Sequence, residues 1–412
     1  MNIEICKWYN NAKSPVLLMI DDLANTWVDT NNSGSLDLGE DWGYFKNQEN
    51  SSFRYLNDVI LKYFPNIKVT FFVPVGVRVG ILENPLFCQL SLPMNADEES
   101  KQFFKSIHEN PNFELAYHGI THGKVGKQAD DFVQEWATFM SLDEAKNTIN
   151  EGISIYHDAV GVKPRGGKYC GYTGNDFSDE SINQSGFSWW FRYWNRGISK
   201  GVGDSDICGQ DKNPITNFDV KRFGSNQVID IPSTVYGGLL NGALNPMVLS
   251  AKGMIKRIFK KSFIRWKLRE IDYLLEHHLV ISVQEHIAPS RDDGKRQSPN
   301  IFDDQGSLIG IFRYLEDKNV WYCTGSELAD YVNLRDHVTV VSVNENSFVL
   351  EHSDQYGDQF IALKFSENAP FRIMLPNKIN ISVNEGFANL PVMKGEYLII
   401  KDHNFLDLTM NR

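Results

Sequence analysis

Short apolar runs of β-type residues recur along most of the chain, at 16–20, 68–73, 113–117, 188–194, 228–231, 279–284 and 320–323. Between them, at 51–64, 97–109, 142–158, 249–278, 307–317 and 327–332, the apolar positions recur at helical spacing. Ser141, with Glu144 three residues on, forms a capping box that predicts where the helix over 142–158 begins. Strand alternating with helix from the start to about residue 334 predicts a parallel α/β fold, most simply a closed barrel. Beyond that point the pattern changes to short strand-like runs at 337–343, 347–352, 359–365, 371–375, 379–383 and 397–401, divided by turn residues. The expected organisation is an α/β barrel over 1–334 and a small β-sandwich-like domain over 335–412, the latter a packing module in the favoured reading.

Against this frame the polar residues take on meaning. Asp21 and Asp22 close the first apolar run, His118 and His122 follow the third, and His286 follows the run at 279–284. Barrel enzymes assemble their sites at the C-terminal ends of the strands, so residues far apart in the chain are expected to share one pocket. Asp22, His118 and His122 offer one carboxylate and two imidazoles, a set that suits a catalytic zinc with an open position. Asp21 then stands beside the metal as the candidate base. His-x-x-x-His alone is weak evidence. A helical protease site would place a glutamate after the first histidine, whereas Gly119, Ile120 and Thr121 fill the gap here and favour a loop.

Composition narrows the field. The chain has 412 residues, ordinary apolar and charged fractions and a net charge of −11, which argues against a nucleic-acid partner. No apolar run approaches a membrane span, and the first thirty or so residues show neither a basic start nor an apolar core of a signal peptide. Five widely spaced cysteines without a CxxC pair read as reduced thiols, and a cytoplasmic protein is expected.

Two segments carry competing readings. Asp29-Thr-Asn-Asn-Ser-Gly-Ser-Leu-Asp-Leu-Gly-Glu40 fits a calcium-binding loop, but its flanks do not read as paired helices, and a substrate-facing or solvated loop is favoured. The stretch 251–269 carries eight Lys or Arg residues and no acid, interleaved with Ile255, Ile258, Phe259, Phe263, Ile264 and Trp266. A barrel helix with its apolar stripe inward is favoured there over peripheral contact with an anionic membrane. Cys170 has no histidine nearby in sequence to make it a nucleophile.

Met19-Ile-Asp-Asp22, Val69-Thr-Phe-Phe-Val-Pro74, Tyr117-His-Gly-Ile-Thr-His122 and the strand carrying His286 resemble, in order, segments of the polysaccharide deacetylase family, carbohydrate esterase family 4 with its NodB homology domain. The resemblance spans roughly residues 15 to 330 and implies a distorted (β/α)7 barrel. It implies that Asp21 is the base, that Asp22, His118 and His122 hold the metal, and that His286 is the acid. Lys163-Pro-Arg-Gly-Gly-Lys-Tyr169 stands where the family has an Arg-x-Pro-x-Gly motif. Arg165 matches its arginine, and the resemblance implies that it pairs with Asp21. Gly166 and Gly167 replace the proline, and Ile287 follows His286 where aspartate is usual. Trp189, Trp190 and Trp194 loosely resemble the family's tryptophan motif.

The implied function is metal-dependent removal of an N-acetyl or other short acyl group from an amino sugar. Zinc is the expected ion, with cobalt, nickel or iron able to take the same ligands. The substrate is expected to be an amino sugar or glycan, carried or free, in surface-glycan or lipopolysaccharide biosynthesis. The competing readings are an amidase on a non-sugar C–N bond and a non-catalytic glycan-binding protein.

Overall fold

The computed structural model describes residues 1–192, 218–245, 257–353, 359–367 and 369–401. Trp194, Cys208 and residues 251–256 lie outside them. The larger of two compact units, 16–318 with 322–326, is built on one curled sheet. Its strands are β1 (Ser14–Asp21), β2 (Val69–Val73), β3 (Phe113–Tyr117), β4 (Gly166–Lys168), β5 (Trp189–Phe191), β6 (Lys221–Phe223), β7 (Val228–Asp230), β8 (Val235–Tyr236) and β9 (Ile281–His286). Along the sheet they run β6-β7-β5-β4-β3-β2-β1-β9-β8, and all neighbours are parallel except the β6–β7 pair at the edge. The ladder does not close between β6 and β8 among the described residues, so the barrel is distorted and open rather than closed.

β1 and β2 are buried from end to end, as parallel strands covered on both faces are. Helices α1 (Glu98–His108), α2 (Leu142–Val160), α3 (Lys260–Glu276) and α4 (Gln305–Leu315) cover the outer face. The Ser141 hydroxyl accepts from the Glu144 amide, and Gly161, at φ +89°, closes α2 in the left-handed conformation that favours glycine. The predicted helix over 51–64 is broken into a short α-turn, a π-turn and a 3-10 turn.

Gly166 and Gly167 have a packing reason. A Cβ on Gly166 would lie 2.1 Å from the Trp189 ring, and one on Gly167 would lie 2.3 Å from the Tyr117 carbonyl and 2.4 Å from the Trp190 ring. Both tryptophans are fully buried, so they serve the core, and the glycines let β4 lie against them.

The smaller unit comprises 1–15, 319–321 and 327–412. Ile3–Ile5 pairs antiparallel with Phe360–Phe365, so backbone hydrogen bonding draws the N-terminal segment into the β module. Two antiparallel sheets enclose a core that includes Phe348, Ile361, Leu363, Phe371, Ile373 and Tyr397. The sandwich expected after residue 335 is present, with an N-terminal strand that its local sequence did not reveal. None of the described helices is long and apolar enough to cross a membrane.

Candidate metal centre and base

Register alone brings the site together. In the β1–β9 pair Asp21 faces His286, and in the β1–β2 pair Asp21 faces Phe72. Tyr117, the last residue of β3, pairs with Gly167, which puts His118 and Lys168 one step beyond at the same sheet end. Asp22 then turns the chain out of β1 at φ +64°, and His122 sits at φ +73°. Such backbone strain in non-glycine residues is held only where surrounding contacts fix it.

Those contacts are present. The His118 Nδ1 lies 2.9 Å from the Lys168 carbonyl, so Nδ1–H donates and Nε2 is left as a bare acceptor. Asp22 Oδ1 lies 3.5 Å from His118 Nε2 and 3.2 Å from His122 Nε2. Asp22 Oδ1 and His118 Nε2 are both buried without a hydrogen-bond partner. Two donor atoms bound to one tetrahedral zinc at about 2.0–2.1 Å stand about 3.3 Å apart, so the spacing fits a cation between them. The Asp22–His118–His122 set proposed from sequence is thus brought within ligand-to-ligand distance.

Two further residues hold this set, and sequence reasoning missed both. Arg78 donates from Nη2 to Asp22 Oδ2 at 2.9 Å, leaving Oδ1 to face the histidines. Its guanidinium stacks on Trp42 at 4.4 Å. Glu135 accepts from the backbone N–H groups of Ile120, Thr121 and His122 at 2.9, 2.8 and 2.8 Å, pinning the histidine loop. Gly119, at φ +85°, is required there, because a Cβ would lie 2.6 Å from Glu135 Oε2. A lone arginine in a loop and a lone glutamate in a 3-10 turn carry no spacing that points to either role.

Asp21 is held by Lys168, whose Nζ donates to Oδ1 at 2.9 Å and Oδ2 at 2.6 Å. Gln284 Nε2 also donates to Oδ2, at 2.9 Å, while the Gln284 oxygen accepts from Lys168. This corrects the expected pairing of Asp21 with Arg165. Arg165 is exposed just before β4 and lines a recess with Lys163, Glu114 and Ser326, whereas Lys168 ends the strand at the site. The two side chains lie at opposite ends of a three-residue strand. The motif supplied the signal, since Lys168 stands within it, three residues on from Arg165.

Burial would raise the Asp21 carboxyl, but Lys168, His118 and His286 outweigh it and hold it below the usual range. Asp22 behaves likewise: it is held below the usual range against burial, with the permanently charged Arg78 favouring its ionised form. His286 Nδ1 lies 2.7 Å from the Pro299 carbonyl, and its Nε2 lies 4.0 Å from Asp21 Oδ2 and 3.0 Å from Gln297 Nε2. Burial lowers the pKa of His286, with Asp21 opposing.

Burial also lowers His118, and it lowers His122 to about 3. Both imidazoles therefore shed their protons at lower pH than ordinary histidines and stay ready to ligate in mild acid. Two ordinary histidines with pKa ~6.5 would lose about a hundredfold in metal affinity between about pH 7.5 and about pH 5.5. Here the change is expected to be clearly smaller when an ion is titrated against a competing chelator. A steep loss across that range would contradict the assignment of these side chains as pre-deprotonated ligands.

Cys170 lies closer to the site than its sequence neighbours indicate. Its thiol and the ring nitrogens of His118 and His122 fall within 4.8 Å of one another. The thiol donates to the His118 carbonyl at 3.0 Å, and burial pushes it well above its usual pKa. That shift disfavours the thiolate a nucleophile needs. In the 29–40 loop, Asp29 accepts from the amides of Ser33 and Gly34, and Glu40 from Thr30, Asp37 and Trp27, so these carboxylates are engaged within the loop and by its flanking strand.

The chain matches no family description and no curated relative by sequence. Solved structures resemble it. A Mycobacterium smegmatis protein assigned as a polysaccharide deacetylase is 16% identical, with a TM-score of 0.44 over 81% of this chain and 94% of that one. A Pseudomonas aeruginosa PAO1 protein with the same assignment is 14% identical, with a TM-score of 0.43 over 79% and 93%. The PuuE allantoinase is 13% identical, with a TM-score of 0.44 over 79% and 92%.

Proposed function

We propose that this chain is a metal-dependent hydrolase of the polysaccharide deacetylase type, removing an N-acetyl or short acyl group from an amino sugar. One observation carries the reading. A bare carboxylate oxygen and a bare imidazole nitrogen, both buried, converge with a second imidazole beside an aspartate that is ionised but bound to no imidazole. Buried polar atoms without partners are costly unless something else satisfies them. Asp22, His118 and His122 would hold a divalent ion there. Once bound, such an ion supplies Lewis-acid polarisation of the acyl oxygen and acidification of water.

The chain's own residues do the rest. Asp21 takes the proton from the attacking water as the C–N bond is prepared for cleavage. Lys168 and Gln284 hold both of its oxygens in place and favour the ionised form. Arg78 fixes Asp22 with one oxygen turned inward and favours its ionised form. His286, aimed by the Pro299 carbonyl with Nε2 4.0 Å from Asp21 Oδ2, would receive that proton and pass it to the departing amine. The substrate we favour is an amino sugar in glycan biosynthesis inside the cell, a setting that suits the free thiols of Cys6, Cys88, Cys170 and Cys323.

The test is acetate release from a panel of N-acetylated amino sugars, with chelation and metal restoration as controls. Release that chelation stops and metal restores supports the reading. A chain that takes up no divalent ion, releases no acetate and yet retains the sugars would instead be a glycan-binding protein.

A further inference from the structure

Helix α3 departs from the inward-facing stripe that its sequence predicts. Its buried residues are Leu268, Ile271, Leu274 and Leu275, all in the C-terminal half. Trp266 in its N-terminal half is 53% exposed, and Ile258 and Phe259, just before the helix, are 75% and 55% exposed. At 100° per residue Leu268, Ile271 and Leu275 lie roughly 140–200° round the helix from Trp266, and Leu274 about 80° from it. Arg257, Lys260, Lys261, Arg265 and Arg269 are exposed around this apolar patch, and no acid lies between 251 and 269. The charge is local, since the whole chain carries −11.

We propose that this end of α3 docks on an anionic lipid surface. Positive charge alone would suit any polyanion, but a polyanion in water gives Ile258, Phe259 and Trp266 nothing to bury against. A bilayer interface satisfies both halves of the patch: phosphate headgroups take the cations, and the acyl boundary takes the apolar side chains. Tryptophan suits that position, with an apolar ring and one polar N–H. The inference stands on the helix alone and is independent of the chemistry at Asp21.

Flotation of the full chain with vesicles tests it, using phosphatidylcholine alone and phosphatidylcholine mixed with phosphatidylglycerol. Binding is expected on the mixed vesicles at low salt, weakening as salt rises, and not on phosphatidylcholine alone. Ile258→Ser with Trp266→Ser should lower partitioning by about tenfold or more. Each of Lys261→Glu and Arg265→Glu should lower it by about fivefold or more. All four positions are exposed, and a thermal melt checks that the fold is kept. No binding to mixed vesicles at low salt would overturn the proposal. So would binding that the serine variants leave unchanged, or that soluble heparin reproduces without regard to Ile258 and Trp266; either marks a general polyanion surface instead.

Discussion

Asp21→Asn is expected to lower turnover by about a thousandfold while the divalent ion stays bound, because removing a positioned base costs on the order of 10²–10⁴ in rate. The proposed ligands are Asp22, His118 and His122, whereas Asp21 is held by Lys168 and Gln284, so ligation should survive. The substitution also leaves Lys168 buried without its carboxylate, and a lone buried charge costs about 3–5 kcal/mol. Loss of activity and loss of fold must therefore be separated. The double variant Asp21→Asn with Lys168→Met removes both charges and should recover most of that stability, yet remain inactive. Substantial turnover in either variant, with the ion bound and the fold intact, would remove Asp21 from the reaction.

The second large effect sets Lys168 against Arg165. Lys168→Met strands the Asp21 carboxylate, which lies 2.6 Å from the ammonium in a site closed to solvent. Stability should fall by about 3–5 kcal/mol and the acid limb of the rate profile should move to higher pH, since the cation that holds Asp21 ionised is gone. The sign follows from linkage: a lowered carboxyl pKa stabilises the fold above the unfolded value and is lost as pH falls through the folded one. Without Lys168 burial prevails, and the Asp21 carboxyl binds its proton at higher pH. Arg165→Ala, at the exposed start of the same strand, should change turnover by less than about twofold and stability within about 0.5 kcal/mol, as exposed substitutions commonly do. Thermal melts and a pH–rate profile of both variants decide the matter, and equal effects would refute the assignment of Lys168.

Why one residue of Lys163-Pro-Arg-Gly-Gly-Lys-Tyr169 was legible and another was not has a physical explanation. The motif was visible, but a spacing does not say where a strand starts. β4 runs Gly166–Lys168, so Arg165 falls before it and Lys168 ends it. A shift of three residues in so short a strand moves a side chain from one sheet end to the other. Asp21, Asp22, His118, His122 and His286 were legible because each follows a strongly apolar run, and such runs mark strand ends within a residue or two. Arg78 and Glu135 were not, because each acts through a tertiary contact, Arg78 with Asp22 and Glu135 with the amides of residues 120–122. The N-terminal strand Ile3–Ile5 was missed for a similar reason: three residues have no periodicity, and only pairing with Phe360–Phe365 makes them a strand. The outward turn of Trp266 was also hidden, since hydrophobic spacing predicts a stripe without saying which end of it meets a core.

The most direct measurement is the stoichiometry and affinity of divalent metal in the intact chain and in Asp22→Ala, His118→Ala, His122→Ala and Cys170→Ser. One tightly held ion per chain is predicted, lost or greatly weakened in the first three variants and retained in the fourth, with a cobalt-loaded protein showing no thiolate charge-transfer band. An ion that survives loss of either histidine, or that disappears only when Cys170 is replaced, would contradict the site described.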